Sequence, residues 1–122
     1  MAWSFTADRP VYIQVAERIR RRVITGEYKA GAQIPSVRQI AMEATVNPNT
    51  VQRALVELET EGLLEARGTL GRFVTEDESV IERGKQSLIR SLVKSFITDA
   101  MRLGLTKEQI EAAVKEGTDE RT

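Results

Sequence analysis

Cysteine and histidine are both missing from this chain of 122 residues. Without cysteine there is no disulfide, no thiol nucleophile and no thiolate metal site. Without histidine the commonest general base and the commonest transition-metal ligand are gone as well. Both absences argue against an enzyme, and no constellation for carboxylate catalysis is visible, so neither cofactor nor metal is expected. No apolar run approaches the ~20 residues of a membrane-spanning helix, and the amino terminus lacks a signal-peptide pattern. The expected location is the cytoplasm, with no membrane partner. An excess of one charge is also lacking, since 18 Lys/Arg balance 18 Asp/Glu. Residues 1–76 carry 10 basic and 9 acidic side chains. Such a chain has no global field to attract a polyanion, so recognition must rest on where its charges sit. This balance predicts weak non-specific binding to any polyanion and leaves specific binding open.

What is present is a soluble globular composition, 41% apolar and 30% charged, in a length that holds at most one domain plus an appendage. The chain is organised around Ile34 to Val74. Ser36 and Gln39 form a capping box ahead of a short helix with Val37, Ile40 and Ala41 on its apolar face. Asn47 caps a second helix, and Pro48 suits its first position, where a missing N–H costs nothing. Val51, Ala54, Leu55 and Leu58 recur at helical spacing as its buried stripe, leaving Asn49, Gln52, Arg53 and Glu57 outside. The link near Thr45 to Asn47 has the shortness of a helix-turn-helix. After Gly62, Leu63 to Arg67 and Arg72 to Val74 read as two strands, with Gly68 and Gly71 bracketing the turn.

This order, helix–turn–helix–hairpin, is the plan of a winged helix. A helix entering the major groove leads with polar residues that reach base edges. Asn and Gln pair with adenine, Arg with guanine, and Asn49, Gln52 and Arg53 supply that chemistry. The N–H groups near Asn49 and Thr50 are expected to be free for a phosphate. A glycine-tipped hairpin with Arg67 and Arg72 suits a wing lying along phosphates or in the minor groove. Against this stands the plain reading, an amphipathic helix with a solvated turn.

The runs Pro35-Ser-Val-Arg-Gln-Ile-Ala, Val46-Asn-Pro-Asn-Thr-Val, Leu58-Glu-x-Glu-Gly62 and Gly71-Arg-Phe-Val74 resemble successive signatures of the amino-terminal domain of the GntR family of bacterial transcription regulators. The resemblance covers roughly Pro10 to Val74. The Asn-Pro-Asn-Thr form and the short tail are similar to the YtrA-like subfamily. It implies DNA contacts by Arg38, by the start of the recognition helix and by the wing tip. The full set expected at double-stranded DNA is Ser36, Arg38, Asn47, Asn49, Thr50, Gln52, Arg53, Arg67, Gly68 and Arg72. One departure is visible: the family often has Gly-x-Gly before Phe-Val, whereas position 69 is Thr and the glycine lies at 68, so a reshaped wing tip is expected.

Around this stretch, Trp3 and Phe5 indicate either an arm packed on the domain or a frayed terminus. A helix from Pro10 to about Thr25 places Val11, Tyr12, Val15, Ile19 and Val23 inward. Gly26 is its expected cap, and Tyr12 is expected in the core. Arg18, Arg20, Arg21 and Arg22 read as solvent-facing, with a Glu17–Arg21 pair. Residues 26–34 read as a turn. Beyond a polar run at 75–79, a helix from Glu78 to about Leu103 carries a wide apolar stripe. Thr106 and Gln109 form a second capping box ahead of a helix from Lys107 to about Glu116, closed by Gly117, with a disordered end at 118–122. Two such helices lack a core of their own. They are expected either to dock on the winged helix or to pair with a second chain, and the resemblance favours dimerisation.

The fold class expected is therefore mostly α with a small β-hairpin: a winged helix-turn-helix domain over 1–76 and a two-helix dimerisation segment over 77–122. Leu88, Leu92, Val93, Phe96 and Ile97 are expected at the centre of a homodimer. The function expected is a transcription regulator, a repressor, on an inverted-repeat operator. The alternative is a winged helix that binds protein.

Overall fold

The computed structural model describes residues 3–121; Met1, Ala2 and Thr122, parts of the expected arm and tail, lie outside the described residues. The elements are α1 (Val11–Ile24), α2 (Val37–Ala44), α3 (Pro48–Thr60), β1 (Leu64–Ala66), β2 (Arg72–Val74), α4 (Glu78–Arg102) and α5 (Lys107–Arg121), with a short 3-10 turn at Gly68–Leu70. This is a mostly helical winged helix-turn-helix with one antiparallel hairpin, as the sequence implies. The chain divides into two compact units, one ending at Lys85 and the other beginning at Gln86.

In the first unit, α1, α2 and α3 pack around Val15, Ile19, Ile40, Val51, Leu55 and Leu58, each at most 1% exposed. Leu63, Leu64 and Val74 close that core from the hairpin, and Val80 and Ile81 from the start of α4 pack against it. Truncating a side chain such as Leu55 to Ala removes about 2–5 kcal/mol. The hairpin register pairs Leu64 with Val74, Glu65 with Phe73 and Ala66 with Arg72. Residues 31–34, read from sequence as part of a turn, instead lie along the free edge of β2. Gly31 N–H donates to the Val74 carbonyl, Val74 N–H to Ala32 and Ile34 N–H to Arg72, each at 2.9 Å. Both edges of the wing's second strand are thereby held.

The amino-terminal segment is an ordered arm. Trp3 is 7% exposed, its Nε1 donates to Glu43 Oε2 at 2.7 Å, and the guanidinium groups of Arg18 and Arg22 lie 4.8 and 5.1 Å from its ring centroid. Buried Gln14 fastens the next residues, accepting from Thr6 N–H and donating to the Thr6 and Arg9 carbonyls, all at 2.9 Å. The arginines of α1 are less solvent-facing than expected. Arg22 pairs with Glu43 at 2.7 Å, and Arg20 Nε donates to Glu61 at 2.8 Å. Glu17 pairs with Arg9 at 2.6 Å and not with Arg21, because the arm brings Arg9 alongside it.

In the second unit, the box at Thr106 and Gln109 forms with both hydrogen bonds, 2.8 and 3.2 Å. The expected stop at Gly117 is absent. α5 continues through it to Arg121, and Thr118 Oγ1 donates back to the Val114 carbonyl at 2.7 Å. Gly117 does not take the left-handed conformation of a helix-ending glycine, and the residues expected to be disordered are helical as far as Arg121.

The Trp3–Glu43–Arg22 cluster makes a pH prediction. The Arg22 hydrogen bond, then that of Trp3, holds the Glu43 carboxyl below the usual glutamate range against an opposing effect of burial. A carboxyl depressed by folding adds stability above its unfolded value and loses it as pH falls. Emission from Trp3, the only tryptophan, should shift toward that of a solvated indole between about pH 5 and 3. Glu43→Gln should remove that step. An identical acid response in both proteins would contradict the assignment.

Candidate nucleic-acid interface

Local sequence sets the two helices of the motif. Ser36 Oγ accepts from Gln39 N–H at 3.1 Å, and Gln39 Oε1 accepts from Ser36 N–H at 2.8 Å, completing the capping box. α2 ends at Thr45 in the left-handed conformation, φ 58°. Val46 N–H then returns to the Ala41 carbonyl at 3.1 Å, and Asn47 caps α3 immediately afterwards. With Val51, Ala54, Leu55 and Leu58 turned inward, Asn49, Gln52 and Arg53 stand exposed on the opposite face and Thr50 is half-buried.

One expectation is corrected here. The N–H groups at the start of α3 are not free: Asn49 N–H is bound by Asn47 Oδ1 at 2.7 Å and Thr50 N–H by the Asn47 carbonyl at 3.0 Å. The cap uses the donors that a phosphate would need. Ser36 and Asn47 likewise spend their side-chain oxygens on caps, so they shape the motif from within. Arg38, in the first turn of α2, is exposed and has no ion-pair partner among the described residues.

Tyr12 is not a core residue. It is half-buried, and Arg53 lies over its ring at 3.8 Å from the centroid. Val11, Tyr12, Asn49, Thr50 and Arg53 line one shallow depression, so α1 contributes to the surface at the amino-terminal end of α3. Pro10, ending the arm, delivers Tyr12 there. Val56, 46% exposed, continues the outward stripe of Asn49, Gln52 and Arg53 by helical spacing. An apolar residue on a polar face carries no hydrogen-bonding signal, so nothing in the sequence marks it.

Both wing arginines are engaged. Arg67 lies over the Phe73 ring at 4.3 Å. Arg72 is paired with Glu59 and also reaches Gln52 Oε1 at 3.3 Å. The wing tip is the 3-10 turn at Gly68–Leu70, with Leu70 67% exposed and its carbonyl accepting from Gln33 Nε2. The five residues expected at the dimer centre lie along α4: Leu92, Val93, Phe96 and Ile97 are exposed and Leu88 is half-buried.

The charge balance now has a structural reading. Glu17, Glu43, Glu59 and Glu61 are each paired with an arginine, whereas Arg38, Arg53 and Arg67 have no carboxylate partner among the described residues. Pairing thus leaves cationic groups on α2, α3 and the wing, beside Glu57 and Glu65, which have no ion pair among the described residues either.

A model of the family described as bacterial regulatory proteins, gntR family, matches residues 11–74. The chain is 36% identical over 116 residues to the uncharacterized HTH-type transcriptional regulator YhcF of Bacillus subtilis, covering 95% of this chain and 96% of that one. It is 33% identical over 111 residues to the HTH-type transcriptional repressor YtrA of the same organism, covering 90% and 85%. Among solved structures, a GntR family transcriptional regulator from Listeria monocytogenes superposes with a TM-score of 0.82 at 37% identity, covering 92% of this chain and 98% of that chain. The DNA-binding domain of AraR in complex with operator ORX1 superposes with a TM-score of 0.56 at 26% identity, over 59% and 93%.

The two wing glycines differ in a way that can be measured. Gly71 has φ 114°, and a Cβ there would lie 2.9 Å from Gln33 Nε2; Gly68 has φ 53° and open space around it. Gly71→Ala should cost roughly 1–3 kcal/mol in urea unfolding, and Gly68→Ala about 1 kcal/mol or less. Equal costs would contradict this account of the wing.

Proposed function

This chain belongs to the gntR family of DNA-binding bacterial regulatory proteins, and from that premise we propose that it is a repressor acting on an inverted-repeat operator as a homodimer. The observation that carries the reading is the outward stripe of α3. Asn49, Gln52 and Arg53 are exposed at the amino-terminal end of a helix whose rotation is fixed by complete burial of its other face. Asn49 and Gln52 offer amide groups to base edges, and Arg53 a guanidinium already flattened against Tyr12. Arg38 and Arg67 supply phosphate contacts, Thr50 a hydroxyl, and Val56 an apolar surface for a thymine methyl. The repressor assignment is supported by the similarity to YtrA, and operator binding by the similarity to the AraR domain seen on its operator.

The second copy is argued from the second unit. Ile89, Leu92, Val93, Phe96, Ile97 and Met101 of α4 are 38–63% exposed, and only Ala100 of that helix is buried. Phe96 lines a shallow groove with Ala113, Val114 and Gly117 of α5, which covers part of it. An apolar run of this size on exposed helix is stabilised by burial against a partner, and an identical chain supplies a matching face. Two-fold symmetry then sets recognition helices in major grooves about 34 Å apart or a multiple of that.

Light scattering on the eluted protein should give a dimer at micromolar concentration, and Phe96→Glu should give a monomer; a monomeric wild type removes the homodimer. Selection from a random duplex pool should enrich an inverted repeat. Gln52→Ala or Arg53→Ala should weaken binding to it by ~1–3 kcal/mol and relax one base position. Wild-type affinity in both variants would remove α3 as the reading helix.

A further inference from the structure

Gln52 is not a freely rotating amide. Arg72 Nη1 donates to its Oε1 at 3.3 Å, and Arg72 Nε is bonded to Glu59 Oε1. The Arg72 and Glu59 side chains are 17% and 28% exposed, so this pair lies against the protein between α3 and β2. Glu59 sits two turns after Gln52 on the same helix. α3 thus holds both ends of a relay, Glu59–Arg72–Gln52, whose middle comes from the wing.

The chemistry of the relay decides how the amide faces. A guanidinium has only N–H donors, so the Gln52 atom it touches is the carbonyl oxygen. The NH2 group is therefore the part left to solvent. A carbonyl already accepting from a cation becomes a weaker acceptor for a second donor, and the N–H groups of its amide become stronger donors. A free glutamine reads adenine by donating to N7 and accepting from N6. Held by Arg72, Gln52 keeps its two donors, while one of the two lone pairs of its carbonyl oxygen is already engaged. Guanine, whose major-groove edge offers the acceptors N7 and O6, is the better match.

We infer that the Glu59–Arg72 pair is a positioning device that makes Gln52 select guanine in preference to adenine in its half-site. The inference rests on the DNA-reading role of α3 proposed above. Arg72 acts through Gln52 here, with its guanidinium held by Glu59 and its side chain 17% exposed.

The test compares duplexes selected from one random pool by the wild type and by Gln52→Ala, Glu59→Gln and Arg72→Ala. Circular dichroism and Trp3 emission confirm that each is folded. Glu59→Gln keeps the shape of the side chain, so it stands if Arg72→Ala unfolds. The wild type should enrich guanine at one position per half-site, and Gln52→Ala should abolish that preference. Glu59→Gln and Arg72→Ala should each lower the guanine-to-adenine ratio at the same position about fivefold or more, leaving other positions unchanged. An unchanged ratio in Glu59→Gln overturns the relay. So does a wild-type preference for adenine at that position, or a uniform loss of affinity in Arg72→Ala with a shallower salt dependence, which marks a direct phosphate contact. If the wild type enriches no sequence, the reading role of α3 fails and the relay with it. If Gln52→Ala shifts one position while the other two variants do not, the relay alone fails.

Discussion

Rotation of α3 about its own axis is the constraint on which the rest depends. Val51, Ala54, Leu55 and Leu58 are at most 1% exposed, packed between α1, α2 and the hairpin. A helix buried so completely along one stripe cannot turn without exposing several apolar side chains at once, each worth ~1.5–3 kcal/mol. Its opposite face is therefore fixed as well. The Asn47 cap fixes where the helix begins, and the left-handed Thr45 fixes how sharply the chain turns into it. Asn49, Gln52 and Arg53 are aimed by the packing of the opposite face.

Electrostatics follows from the same arrangement. A neutral chain that belongs to a DNA-binding family relies on where its free charges sit, and internal pairing decides which arginines stay free. Arg9, Arg20, Arg22 and Arg72 are taken by Glu17, Glu61, Glu43 and Glu59. Arg38, Arg53 and Arg67, on α2, α3 and the wing, keep no carboxylate partner among the described residues, and neither do Arg18 and Arg21 on α1. Arg53 is further ordered by the Tyr12 ring beneath it, a contact worth about 0.5–1 kcal/mol when exposed. The arm around Trp3 holds α1 and α2 together from the far end of the motif, through Glu43.

Much of this was legible in the sequence, and the reason is local. Both capping boxes, the Pro48 start, the buried stripe of α3 and the α4 helix are set by side chains within a few residues of one another. What escaped was non-local. Nothing near residues 31–34 announces that they will line β2, because the pairing depends on a hairpin some 40 residues later. The docking of Trp3 depends on Glu43, and the turning-in of Arg72 depends on Glu59; neither partner is close in the chain. Tyr12 fitted an apolar helical pattern, which does not say that its ring would meet Arg53. The free N–H groups expected at the start of α3 were an error of a different kind. Asn47 is legible as a cap, and a working cap consumes those donors. Glycine ends a helix by taking the left-handed conformation, which Gly117 does not adopt.

The central claim is that a few arginines left free by internal pairing carry an α3 reading head onto DNA. Measuring affinity for a selected inverted-repeat duplex across a range of salt concentrations tests it most directly. If Arg38, Arg53 and Arg67 of each protomer of the proposed dimer meet phosphates, log affinity falls linearly with log salt with a slope of about −3 to −5. A slope near zero would contradict the account, because binding would then involve no release of counterions from phosphates.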